Sequence, residues 1–192
     1  MKKNIKKIQK EDSKERILTV SARLFRTQGF AATGIDQIMK QAGLTAGAFY
    51  AHFKSKEDLF EKTLQHALAQ SKLLLTKETE NLTGEEKINA ILKKYCSKAH
   101  RDFPEKGCVL PALAAEIYRG TKNSSVIVQD YIERWMQLIM DNLANELADE
   151  VKKEKALQMI SSAVGAVLLS RILIKNSLSD RLLLSSQNLN QD

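Results

Sequence analysis

Cys96, Cys108, His52, His66 and His100 are the side chains of this 192-residue sequence best suited to metal binding or to nucleophilic and acid–base chemistry near neutral pH. Their spacing points away from all three. The cysteines form no CxxC pair, the histidines fall at no metal-ligand interval, and two cysteines cannot make a disulfide framework, so no metal and no cofactor are expected. No histidine has a nucleophile or second ligand at a useful spacing, and no Gly-rich phosphate loop or paired acid and base stands out, so an enzyme is not expected. Cys108 opens a short predicted helix, where the dipole would favour a thiolate and a thiol sensor, although a buried, inert thiol is the commoner state. His100 stands beside Arg101 and Asp102, in a ligand-facing cluster or, as the commoner states, in a solvated loop or a structural hydrogen-bond knot, and His66 reads as an exposed helix residue.

Positive charge is what the sequence concentrates. Residues 1–60 carry 12 Lys and Arg against 6 Asp and Glu, whereas the remaining 132 carry 18 against 17. Such asymmetry suits a polyanion-facing module followed by an electrically neutral one. Within the first 60 residues the polar groups Thr45, Tyr50, His52, Lys54 and Lys56 gather around the small residues Ala46 and Gly47, a pattern suited to close approach of backbone to a nucleic-acid groove with phosphate contacts alongside. The basic N-terminus has no apolar run behind it, and the longest apolar stretch, 163–169, is far short of the roughly 20 residues that span a bilayer. A cytoplasmic protein without a membrane partner is expected.

The elements that must hold this cluster are helices. With 2 prolines and 8 glycines the chain cannot supply the turns of a sandwich or barrel. Residues 1–10 lack apolar periodicity and read as a flexible arm. From Glu11 the spacing predicts a helix ending near Gly29, a two-turn helix from Ile35 to Ala42 stopped by Gly43, and a third short helix from Ala46 to about His52 capped by Thr45, with Phe49 and Phe53 in the core. Ser55 caps a fourth, running towards Thr76. Further helices are predicted from about Thr83 to Phe103, Val109 to Tyr118, Asn123 to Leu147, Val151 to Lys175 and Ser179 to Ser185, about nine in all.

Two short helices joined by a glycine-containing turn are a helix-turn-helix, whose second helix enters the major groove. The run from Ile17 to Leu64, above all Gly43-Leu44-Thr45-Ala46-Gly47-Ala48-Phe49-Tyr50-Ala51-His52-Phe53-Lys54-Ser55-Lys56-Glu57-Asp58-Leu59, resembles the DNA-binding domain of the tetracycline repressor (TetR/AcrR) family. The resemblance implies an all-α fold, with an arm and helix-turn-helix domain over 1–57 and a helical effector-binding and dimerisation domain over 58–192. It implies a ligand-responsive regulator, a repressor released by a small apolar or amphipathic effector, acting as a homodimer on a pseudo-palindromic DNA operator. Tyr50, His52, Lys54 and Lys56 would meet phosphates, Gly47 would admit the groove, and Thr45 and Ala46, with Gln37 or Gln41, would face bases. Relatives often carry Lys, Arg or His at Ala46 and Thr at Gly34, so groove shape would contribute to specificity.

In the body, Tyr95, Phe103, Cys108, Glu116, Trp135, Met136, Met140 and Met159 are candidates for an effector pocket, because aromatic and methionine side chains repack around apolar ligands. The stretch from Ile160 to Ile174 is apolar on most sides, so Val164, Leu168, Arg171 and Ile172, with Leu182, are candidates for a dimer interface. The rival reading is a helical small-molecule or lipid-binding protein whose basic arm touches membranes.

Overall fold

The structure, a computed structural model, describes residues 2–173, 176–187 and 189. Among these the chain is all-helical: α1 (Lys2–Gln28), α2 (Ile35–Gln41), a 3-10 segment (Ala46–Ala51), α3 (Lys56–Thr76), α4 (Gly84–Tyr95), α5 (Lys98–Asp102), α6 (Leu110–Arg119), α7 (Lys122–Met140), α8 (Asp149–Ile172) and α9 (Ser177–Gln187), with 3-10 turns at Lys77–Thr79 and Pro104–Lys106. No helix among them is long and apolar enough to cross a membrane.

α1, α2 and the 3-10 segment form the head, and α3 joins it to the body. Ile17, Phe25, Ile38, Met39, Phe49 and Phe53 are almost completely buried in one apolar cluster that continues through Leu59 and Leu64 of α3 into Leu92, Tyr95 and Trp135. Phe25, Phe30 and Phe60 pack as three rings 4.8–5.7 Å apart, pinning α3 to α1. α3 starts where the sequence places it: the Ser55 hydroxyl accepts from the Asp58 N–H at 3.2 Å, and the Asp58 carboxylate accepts from the Lys54 N–H at 2.8 Å. Further on, α7 and α8 pack together, α8 against α9, and α5 and α6 lie on α8.

Several boundaries differ from expectation. Residues 2–10 are the start of α1, not a separate arm. No Gly or Pro occurs before Gly29, and Lys, Gln, Glu and Arg lose little rotamer freedom in a helix, so the turn continues where no core requires it. The helix from Thr83 stops at Tyr95, because the Ser97 hydroxyl accepts from the His100 N–H at 3.1 Å and starts α5 instead. The helix through Trp135 stops at Met140, where the Asn142 side chain turns back to accept from the Gly84 N–H at 3.0 Å.

Gly43 ends α2 in the left-handed region, at φ 67°, and the Arg16 guanidinium, which donates to the Ala42 carbonyl, lies 2.7 Å from where a Cβ would stand. Gly43→Ala combines a left-handed L-residue with a displaced Arg16, an expected loss of about 1–2 kcal/mol. Gly47→Ala meets open space at ordinary φ and is the matched control, both read by urea unfolding.

Candidate nucleic-acid interface

The turn between α2 and α3 divides its residues by side. Phe49 and Phe53 are turned into the core, while Thr45, Ala46, Gly47 and Lys54 are exposed, as is Tyr50, which is 72% exposed with its ring edge-on to Phe49 at 5.1 Å. Thr45 occupies the N-cap position with extended backbone, but its hydroxyl makes no capping bond, contrary to the capping expected of it. The segment is a 3-10 helix, in which the Ala48 N–H donates to the Thr45 carbonyl at 3.0 Å, so that donor is already satisfied by the backbone.

Other members of the predicted cluster are engaged. His52 is half-buried, its Nε2 2.9 Å from the Ser13 hydroxyl of α1. Burial, and then the charges of Lys10 and Lys14, lower its pKa below the ordinary imidazole value, which favours the neutral ring. The Lys56 ammonium sits 4.4 Å from the centre of the Phe30 ring and 3.4 Å from the Ala31 carbonyl, which holds it over the α1–α2 link. Gln37 donates to the Gln28 side chain at 3.1 Å, and Gln41 accepts from Arg23. The helix-turn-helix is thus laced to α1 by side chains the sequence offers as DNA ligands.

In the body, Tyr95, Phe103 and Cys108 come together. They line a cavity of about 340 Å³ with Ser71, Lys94 and His100. The other pocket candidates lie elsewhere. Trp135 is buried beside Tyr95, ring centres 4.9 Å apart, and borders a crevice of about 20 Å³. Met136 and Met140 are half-buried one turn apart against the core, and Met159 is buried within it, because helical spacing points all three at neighbouring helices. Glu116 belongs to a separate cleft with Phe30 and Phe60, between α6 and the head.

His100 holds the cavity wall together. The Cys108 backbone N–H donates to its Nε2 at 2.8 Å, so the ring proton is on Nδ1, which donates to the Tyr95 carbonyl at 2.6 Å. Burial, with smaller contributions from the charges of Arg171 and Arg26, lowers its pKa to about 4. The imidazole occupies the space a Cβ on residue 107 would need, which is why glycine stands there. The knot reading of His100 holds, and Arg101 completes it: its buried guanidinium pairs with Asp102 and Asp180, each at 2.7 Å, and donates to the Ser179 hydroxyl at 2.9 Å, tying α5 to α9. Burial raises the Cys108 thiol above its ordinary pKa and that of Cys96 to about 12, which opposes the thiolate that a helix dipole would favour. His66 is half-buried, its Nε2 3.5 Å from the Glu15 carboxylate, rather than an exposed helix residue.

The interface candidates also separate. Ile172 is 70% exposed, while Val164, Leu168 and Leu182 are half-buried. Arg171 turns inward and donates to the His100 carbonyl at 2.8 Å and the Arg101 carbonyl at 3.2 Å, so it braces its own chain. The apolar surface of α8 and α9 is instead made by Leu157, Leu169, Ile172, Leu178 and Leu184, with Gly165 facing open space.

Residues 17–63 match the profile of the family described as bacterial regulatory proteins, tetR family. The HTH-type transcriptional regulator LmrA of Bacillus subtilis is 26% identical over 168 residues, which cover 86% of this chain and 89% of that protein. The uncharacterized HTH-type transcriptional regulator YerO of the same species is 39% identical over 92 residues, and the match takes in 48% of this chain and only 32% of that protein's length. Among solved structures, the reduced form of Escherichia coli NemR has the same fold, with a TM-score of 0.78 at 19% identity, covering 94% of this chain and 96% of that one.

Proposed function

The chain belongs to the tetR family of bacterial regulatory proteins and is a transcriptional regulator, not an enzyme; from that premise we propose that it is a cytoplasmic, homodimeric repressor whose grip on a pseudo-palindromic operator is loosened by a small effector bound in the body. The observation that carries this reading is the two-sided turn between α2 and α3. Its Phe49 and Phe53 side is locked into the core while Thr45, Ala46, Gly47 and Tyr50 are exposed, the first three of them small residues. Such a surface approaches a groove closely: the Thr45 and Ala46 methyls meet thymine methyls, while the Tyr50 hydroxyl and the Lys54 ammonium meet phosphates.

Ile172, Leu169 and Leu184 supply an apolar surface for a second copy, and Gly165 lets the partner helix approach. Two heads related by a two-fold axis would then read half-sites about 34–36 Å apart, or a multiple of it. Residues 103–108 give the switch a route. They form one wall of the 340 Å³ cavity, and the turn within them packs on α1 of the head, where Arg26 donates to the Glu105 carbonyl at 3.4 Å. An effector that moves this wall moves the seat of α1, and by linkage the operator weakens the effector by the same factor.

The test is to select bound fragments from random duplex DNA with the purified protein. A two-fold symmetric site supports the reading, and no enrichment over random sequence overturns it. On that site Lys54→Ala is expected to weaken all sequences alike and to reduce the salt slope by about one. An unchanged slope removes Lys54 from the contact surface.

A further inference from the structure

The cavity's charge is one-sided. Lys94 and Lys106 line it and no carboxylate does; Lys94 is ion-paired with Glu78 at 2.8 Å, whereas Lys106 rests over the Phe103 ring at 5.5 Å. Two guanidiniums lie behind the 103–108 wall, next to the residues that line the cavity but not among them. Arg171 Nη2 is 3.1 Å from where a Gly107 Cβ would stand, and Arg26 reaches the Glu105 carbonyl.

The chain shows what a satisfied buried arginine looks like: Arg101 is saturated by two carboxylates and a hydroxyl. Arg26 and Arg171 differ. Among the described residues neither forms an ion pair, their hydrogen bonds go to backbone carbonyls, and Arg26 Nε and Arg171 Nη1 are buried without a hydrogen-bond partner. Glu105 is close enough to favour the charge on Arg171 but does not pair with it. Burial lowers the proton affinity of both, as expected of cations withdrawn from water without a counter-charge.

We propose that the cavity takes an amphipathic organic anion, its apolar part against Tyr95 and Phe103 and its charged end at the wall where Lys106, Arg26 and Arg171 supply unneutralised positive charge. This rests on the reading of the cavity as the effector site and names the effector's class. A cationic ligand would meet lysines and no carboxylate. A neutral apolar ligand would fill the same space and leave the guanidiniums uncompensated.

The test uses the full-length protein and three probes of one shape: decanoate, decanol and decylamine. Binding is read from the emission of Trp135, the sole tryptophan, whose ring neighbours Tyr95 of the cavity. Decanoate is expected to bind at least about tenfold tighter than decanol, the free-energy difference of one charge-assisted contact, with decylamine weakest. Lys106→Glu changes an exposed residue without disturbing the core, and is expected to lower decanoate affinity several-fold while raising that of decylamine. Decanol binding as tightly as decanoate, decylamine binding tightest, no binding by any probe, or a Lys106→Glu protein with unchanged preference overturns the proposal. Operator release is measured separately. Selective decanoate binding that leaves operator affinity unchanged supports the anion site and overturns the switch, whereas release by all three probes alike supports the switch and overturns the anion site.

Discussion

Ile172→Asp is expected to convert the protein to a monomer and to lower its affinity for a full operator by about 10²–10⁴, the advantage a tethered second head confers. Ile172 is 70% exposed on α8, so the substitution costs the single chain little. In a two-fold interface the same surface meets itself, so one change places two carboxylates in a patch that has lost water. Sedimentation gives the oligomeric state, and titration against full and half sites gives the affinity. A monomer that still binds the full site as tightly as the parent would remove dimerisation from the mechanism. A dimer that survives Ile172→Asp would move the interface off the Leu169–Ile172 end of α8.

His100→Ala is expected to destabilise the chain by about 2–4 kcal/mol at pH 7.5, since it strands the Cys108 N–H and the Tyr95 carbonyl and empties the space beside Gly107. The parent should also show an acid dependence that the variant lacks. In the folded chain His100 has a pKa of about 4, against 6.5 for a free imidazole. Above pH 6.5 neither state takes a proton there, and the full contribution is present. Between 6.5 and 4 the unfolded chain binds a proton that the folded chain refuses, so stability falls as pH falls, by about 3 kcal/mol in all. Urea unfolding of both proteins at fixed concentration and at pH 7.5, 5.5 and 4.5 checks this, the gap between them narrowing at each step. A constant gap would mean that His100 takes up its proton alike in the folded and unfolded chains, and a gap that widens as pH falls would mean that the fold holds it protonated, with Nε2 unable to accept from Cys108.

Much of the head was legible because its signals are local. Gly29 and Gly43 end helices, Ser55 starts one, and Phe49 and Phe53 four apart must share a face. Exposure of Thr45, Ala46 and Tyr50 follows from the same periodicity. What the sequence hid depends on contacts between distant residues. His52, Lys56 and Gln37 are polar at sites suited to DNA, yet each has a partner near α1, at Ser13, Phe30 and Gln28. Arg171 sits in an apolar run and counts as the rim of an interface until the carbonyls of α5 are brought beneath it. Ser97 was a readable signal: a serine before Lys98-Ala99-His100 is an N-cap, and it would have ended α4 at the right place.

The unbroken course of α1 has an entropic consequence. A loose basic tail that settled on DNA would lose roughly 1–2 kcal/mol of backbone freedom for each residue it ordered, against the attraction of its lysines. Here the 27 residues of α1 are already helical, about 40 Å of fixed rod, with exposed Lys7, Lys10 and Lys14 along it. Lys10 and Lys14 lie close enough to His52 to depress its protonation, so their charge stands beside the recognition turn before any duplex arrives. The attraction is therefore gained without first freezing a chain, and the head meets a polyanion with its positive field already assembled.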